Sequence, residues 1–275
     1  MFQPDPVIQR ASTLAAFIDD CGAGSYEGLV KRANAEPEWF WGRIIGYAGI
    51  RFNRPYTQLR DISAGPDSIR WAVGGTLNLT ETCLDARIAG KLGDKTAIDW
   101  VGEDGSRRRW TYAELAAEAA RVASALAARG VEPGQAVGIY MPMIPEIEAA
   151  LLGIARLGAV AVPLFSGFAA HAIATRLNDA RAVAVLTADA TPRRGKPVWM
   201  EATLAEALKE VPLVHTVLSL RRFGGAVADP ARDLDWAETV GHASPDFAAV
   251  PVKAEDTFLI AYTSGTTGRP KGVVH

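Results

Sequence analysis

The residues with the clearest capacity for chemistry lie in "YTSGTTGRPKGVVH", Tyr262 to His275. Thr263, Ser264, Thr266 and Thr267 offer hydroxyls there. Gly265, Gly268 and Gly272 permit positive φ and close approach of the backbone to a ligand. Successive amides in such a loop form a concave anion site. Lys271 adds a mobile point charge suited to phosphate, and Arg269 a second cation. The pattern predicts a phosphate-binding loop. It is not the GxxxxGK[ST] loop, because Arg269 and Pro270 follow Gly268, and Gly272 follows Lys271. The flanks "DTFLIAYT" and "VVH" read as strands, so this loop joins two strands rather than a strand and a helix. A second cationic cluster, "ATPRRGK" (190–196), holds Arg193, Arg194 and Lys196. On charge alone it reads as a solvated turn.

Elements that would position these residues are visible from about residue 80. "TAIDWV" and "RRRWTY" flank "GEDGS", a hairpin signal. Thr111 and Glu114 make a capping box, with Trp110 placed to staple onto Leu115. Tyr112, Leu115, Ala119, Val122 and Leu126 recur at helical spacing, and Gly130 closes that helix. Strands are predicted at 135–141, 159–165, 181–189 and 213–220, and helices at 144–158, 169–180 and 200–210. Short apolar strands separated by helices predict an α/β fold, a parallel sheet with helices on both faces. Ligands in such sheets lie beyond the carboxyl ends of the strands, which directs attention to the loops after Met141, Phe165, Asp189 and Tyr262. The stretch 221–236 reads as a surface connection. Residues 1–75 differ in character and read as an N-terminal helical cap or extension, with 51–68 extended or loop. The α/β part then occupies 76–275.

Composition excludes several function classes. Hydrophobic residues make up 49% and charged residues 22% of 275, a globular balance. A net charge of −2 gives no basic surplus with which to neutralise nucleic-acid phosphates. Cys21 and Cys83 stand far apart and read as free thiols, and the four histidines show no ligand spacing, so no metal site is expected. The start lacks the apolar core of a signal peptide, and 149–165 is broken by Arg156, Gly158 and Pro163. A cytoplasmic protein with no membrane partner is expected; the oligomeric state is not legible.

"YTSGTTGRPKG" resembles the phosphate loop of the adenylate-forming superfamily of AMP-dependent synthetases and ligases. "GGTLNLTETCLDARI", "GDKTAI", "WTYAEL", "IYMPMIPE", "ARLGAV" and "FSGFA" are similar to the AMP-forming acetyl-CoA synthetase branch. The resemblance covers nearly the whole chain and is weakest before residue 60. It implies activation of a small carboxylate by Mg-ATP to an acyl-adenylate, followed by capture of the acyl group by coenzyme A. ATP, Mg²⁺ and CoA are the implied cofactors. It assigns Thr263, Ser264, Gly265, Thr266, Thr267, Gly268 and Lys271 to the ATP phosphates. It also assigns Phe165, Gly167, Arg193, Arg194 and Lys196 to CoA, with Ser166 and Lys196 departing from the usual glycine and arginine. The adenine, ribose, acyl and catalytic residues of the family would lie downstream of His275. The chain therefore reads as the first part of such a synthetase, inactive alone. The alternative is a non-catalytic ligand-binding or scaffold domain of the same descent. A kinase is disfavoured by the missing GK[ST] and catalytic-loop pattern.

Overall fold

A computed structural model of the chain describes residues 5–225, 228–263, 268 and 270–275. The chain divides into two compact units, Met1–Thr76 and Leu77–His275. The first holds helices α1 (Pro6–Arg10), α2 (Thr13–Asp20), α3 (Tyr26–Ala35) and α4 (Pro37–Ala48), then the antiparallel strands β1 (Gln58–Asp61) and β2 (Arg70–Val73). The aromatic run at 37–49 is thus a helix, closed by Gly49 in the left-handed region. Its rings meet others of the same unit edge-on, Phe40 against Phe17 and Trp41 against Trp71. The short strand β3 (Thr76–Leu77) spans the boundary.

In the second unit, β4 (Thr96–Val101) and β5 (Arg107–Thr111) pair antiparallel around the expected turn. Thr111 caps α5 (Tyr112–Ala128): its Oγ1 accepts from the Glu114 N–H, and the Glu114 carboxylate accepts from the Thr111 N–H at 2.7 Å. Trp110 packs in the cluster that contains Leu115.

The sheet combines β6 (Ala136–Tyr140), β7 (Val160–Pro163), β8 (Ala184–Ala188), β11 (Thr216–Leu220) and β12 (Asp233–Asp235), all parallel, in the order β12-β11-β8-β6-β7. Strand β6 is buried at every residue, as a central strand covered on both faces must be. Alternation sorts the side chains. Val137, Ile139, Leu186 and Leu218 face α5, α6 (Pro145–Leu157) and α9 (Trp236–Thr239). Ala136, Tyr140, Val185 and Val217 face α7 (Ala170–Asp179) and α8 (Met200–Leu208). Gly153 lets α5 and α6 approach closely: a Cβ there would lie 2.6 Å from Val122 Cβ.

One expectation is corrected and one is refined. Residues 221–236 are not merely a surface connection, because Asp233–Asp235 forms the edge strand β12 and Trp236 opens α9, buried against the core. The cationic turn is a β-hairpin, β9 (Ala190–Arg193) against β10 (Lys196–Trp199), with Arg194 and Gly195 both at positive φ in its two-residue turn.

Two of the sequence motifs turn out to be scaffolding. Asn78 is fully buried and donates to the Ala155 and Val250 carbonyls at 2.8 Å each. Arg156 pairs with Asp85 at 3.0 Å and donates to the Phe247 carbonyl at 2.6 Å. Together they tie the end of α6 to the segment before β13 (Val252–Lys253). Among the described residues, no helix is long and apolar enough to cross a membrane.

Candidate functional site

The carboxyl end of the sheet gathers the candidate residues. The chain enters beside β7 through the parallel bridge Ala161–Leu259, with the Ala161 N–H donating to the Phe258 carbonyl at 2.9 Å. It continues as β14 (Ile260–Thr263) and returns antiparallel as β15 (Lys271–Val274). Because this entry runs parallel to β7, Thr263 stands toward the same end of the sheet as Pro163. Thr263 and Lys271 face each other in register at the mouth of the turn. A hydroxyl and a cation thus flank the loop, and Gly268 within it has φ 86°. Ser264, Gly265, Thr266 and Thr267 lie outside the described residues.

Tyr262 anchors the strand that delivers this loop. Its O–H donates to Asp179 of α7 at 2.5 Å. Burial, reinforced by that bond and by the Asp179 charge, raises the phenol well above its ordinary value. Arg176 of α7 lies 5.8 Å from the Tyr262 ring and 4.2 Å from Phe168. One arginine therefore touches both the β14 strand and the turn after β7.

That turn carries Phe165 and Gly167. Tyr140, at the end of β6, donates to the Ser166 carbonyl at 3.2 Å and holds it. Gly167 lies under the Phe165 ring: a Cβ there would lie 2.7 Å from Phe165 Cε1, so a larger residue would displace the ring. The Phe165 ring is 65% exposed. It lines a cleft of about 390 Å³ together with Gly167, Arg193, Trp100, Met143 and Arg222. Arg194 and Lys196 line an adjoining cleft of about 400 Å³, which shares Trp100, Glu103, Pro192 and Arg222 with the first. All five residues assigned to CoA thus line one groove, although 165–167 and 193–196 are distant in sequence. Thr263, Gly268 and Lys271 are not among its lining residues.

The groove rests on Asp189. This residue is fully buried. Its Oδ1 accepts from the N–H groups of Ala190 at 2.7 Å and Arg222 at 3.0 Å, and its Oδ2 from Phe223 at 2.8 Å and Gly225 at 3.1 Å. Burial pushes its pKa up, but the four backbone donors outweigh burial and hold it below the usual carboxylate range. Arg221 beside it binds Glu201 at 2.5 Å. Opposite, the Glu103 carboxylate accepts from the Arg194 N–H at 2.6 Å, which fixes the tip of the β9–β10 turn.

Arg222, Trp100 and Glu103 were missed from sequence. The signal for Arg222 was present, since it follows a parallel strand at the ligand-bearing end. Reading 221–236 as a connection concealed it. Among the described residues no three His, Cys, Asp or Glu side chains cluster as metal ligands.

A family model described as "AMP-binding enzyme" matches residues 85–275, and one described as "Acetyl-coenzyme A synthetase N-terminus" matches 26–83. The acetyl-coenzyme A synthetase of Novosphingobium aromaticivorans is 41% identical over 258 residues, covering 91% of this chain and 39% of that protein. The one from Mycobacterium tuberculosis is 40% identical over 251 residues, covering 90% and 38%. The structure of acetoacetyl-CoA synthetase from Streptomyces lividans superposes with a TM-score of 0.91 at 31% identity, over 99% of this chain and 42% of that one. The chain thus spans about 39% of the length of the curated relatives it matches. With matches running from residue 26 to residue 275, the chain belongs to the AMP-binding enzyme family, in its acetyl-CoA synthetase-like branch.

Proposed function

We propose that these residues form the nucleotide-phosphate loop and the CoA groove of an AMP-forming acyl-CoA synthetase acting on a short carboxylate. The observation that carries this reading is the β14–β15 hairpin at the carboxyl end of the sheet, with Thr263 and Lys271 opposed at its mouth. Adenylation brings an anionic carboxylate to a polyanion, so the departing pyrophosphate must be neutralised and held in line. Backbone amides, hydroxyls and the Lys271 ammonium supply that grip, and Mg²⁺ entering with the nucleotide would supply the remaining neutralisation. Coenzyme A, the thiol of the second step, places its phosphates against Arg193, Arg194 and Lys196, and its chain passes Phe165 and Gly167. Residues 1–75 serve as an N-terminal extension. Residues beyond those present here complete the adenine, ribose and acyl sites. The 275 residues by themselves then make no acyl-adenylate.

A chimera tests this. These 275 residues replace the matching part of one of the curated relatives, and carboxylate-dependent pyrophosphate–ATP exchange is measured. Exchange is expected from the chimera and not from the 275 residues alone. A folded chimera that binds ATP but supports no exchange would contradict the proposal.

A further inference from the structure

Arg222 stands where the two halves of the groove meet, and it lines both. It is held there from below, through the bond from its N–H to Asp189 at 3.0 Å. Its guanidinium lies 5.5 Å from the Phe223 ring. Its Nη1 is buried, and no acceptor among the described residues hydrogen-bonds it. The two carboxylates of the groove are engaged elsewhere: Glu103 by the Arg194 N–H, and Asp104 by the Ser106 N–H at 3.0 Å and its hydroxyl. The Ser106 bonds, with a smaller contribution from the Arg222 charge, hold the Asp104 carboxyl below its ordinary value. A cation so placed, partly desolvated and with a free donor, favours an anion that can enter the groove. The other three cations, Arg193, Arg194 and Lys196, are exposed, whereas Arg222 is half-buried. Trp100, Met143, Phe165 and Val198 give the same groove an apolar wall.

Resting on the CoA reading above, we propose that Arg222 is a specificity-determining residue that binds the 3′-phosphate of the CoA nucleotide. A phosphate monoester carries roughly two negative charges at neutral pH and offers oxygens to a guanidinium fork. Dephospho-CoA lacks that group, so Arg222 distinguishes the two. The exposed cations, screened by water and salt, contribute less selectivity.

Isothermal titration of the 275-residue chain with CoA, dephospho-CoA and 3′,5′-ADP reads this directly. The wild type is expected to bind CoA about tenfold or more tightly than dephospho-CoA, the usual loss for one charge-assisted contact. Arg222→Met should bring that ratio to about one while leaving dephospho-CoA binding within roughly twofold. If Arg222→Met does not melt cooperatively, Arg222→Gln is read by the same criterion. A variant-free check is the Arg222 side-chain Nε–H resonance, which should move on addition of 3′,5′-ADP and stay still with 5′-AMP. A ratio that survives in the Arg222 variants but collapses in Arg193→Met removes Arg222 from the site and leaves the CoA reading intact. Wild-type chain that binds neither CoA nor 3′,5′-ADP at millimolar concentration would overturn both.

Discussion

Asp189→Asn replaces one carboxylate oxygen with an amide nitrogen at nearly constant volume. Each oxygen of Asp189 accepts two backbone N–H groups, so whichever way the amide turns, two donors meet a donor. Two charge-assisted hydrogen bonds at about 1.5–3 kcal/mol each set an upper limit of roughly 3–6 kcal/mol. The 222–225 segment can swing outward and hydrate, so about 3 kcal/mol is the expected loss. For a chain of this size that corresponds to roughly 6–12 °C in the melting temperature. The pH dependence has a definite sign. The folded pKa of Asp189 is depressed, so its contribution is complete above the unfolded value near ~3.9 and is lost as pH falls through the lower folded value. The gap between wild type and Asp189→Asn should therefore be constant from neutral pH down to about 5 and narrow below about 4. Calorimetric or CD melting across that range measures it. A melting temperature within about 2 °C of wild type at pH 7 would refute the claim that Asp189 clamps the groove.

Gly153→Ala should destabilise the chain by about 1–3 kcal/mol in denaturant titration, because the new methyl would lie 2.6 Å from Val122 Cβ and 2.8 Å from the Ala119 carbonyl, where backbone cannot yield. Alkaline titration followed at 295 nm should show late-ionising phenols, since burial raises Tyr140, and burial with the Asp179 bond raises Tyr262; folding stability should fall as pH climbs past the unfolded value near ~10. Tyr262→Phe should remove one late component and leave the Tyr140 one. In the chimera, Arg193→Ala should raise the KM values for CoA and dephospho-CoA together, and leave the KM values for ATP and the acid within about twofold; an unchanged CoA dependence would return the β9–β10 turn to a surface feature.

The α/β fold was legible because each strand is a short apolar run between amphipathic helices, and the Thr111–Glu114 capping box fixed a helix start to the residue. The strand–loop–strand arrangement of β14 and β15 was legible from the apolar flanks "DTFLIAYT" and "VVH". The edge strand Asp233–Asp235 was not, because it has three residues, alternates charge with a single Leu234, and gains its pairing only from β11. The hairpin at 190–199 was hidden for a related reason: Arg194 adopts φ 52° in its turn, a conformation that sequence reading assigns to glycine, asparagine or aspartate. Arg222 follows a parallel strand at the ligand-bearing end, a signal that the connection reading of 221–236 concealed, while the bond that holds it runs to Asp189, 33 positions away in sequence. That bond is tertiary and leaves no local pattern. The scaffolding roles of Asn78 and Arg156 were equally invisible, since their partners lie on other segments.

The loop between β14 and β15 is the proposed phosphate site, with Lys271 as its cation. Amide NMR of the isotopically labelled chain, titrated with Mg-pyrophosphate or Mg-ATP, tests it most directly. Solvent-exposed phosphate contacts without the rest of the nucleotide site support only about 4 kcal/mol, a Kd of roughly millimolar. Saturable shifts of that strength are expected at the amides between Thr263 and Lys271 other than Pro270, and are lost in Lys271→Ala. Shifts confined to another surface, or equal binding by Lys271→Ala, would contradict it.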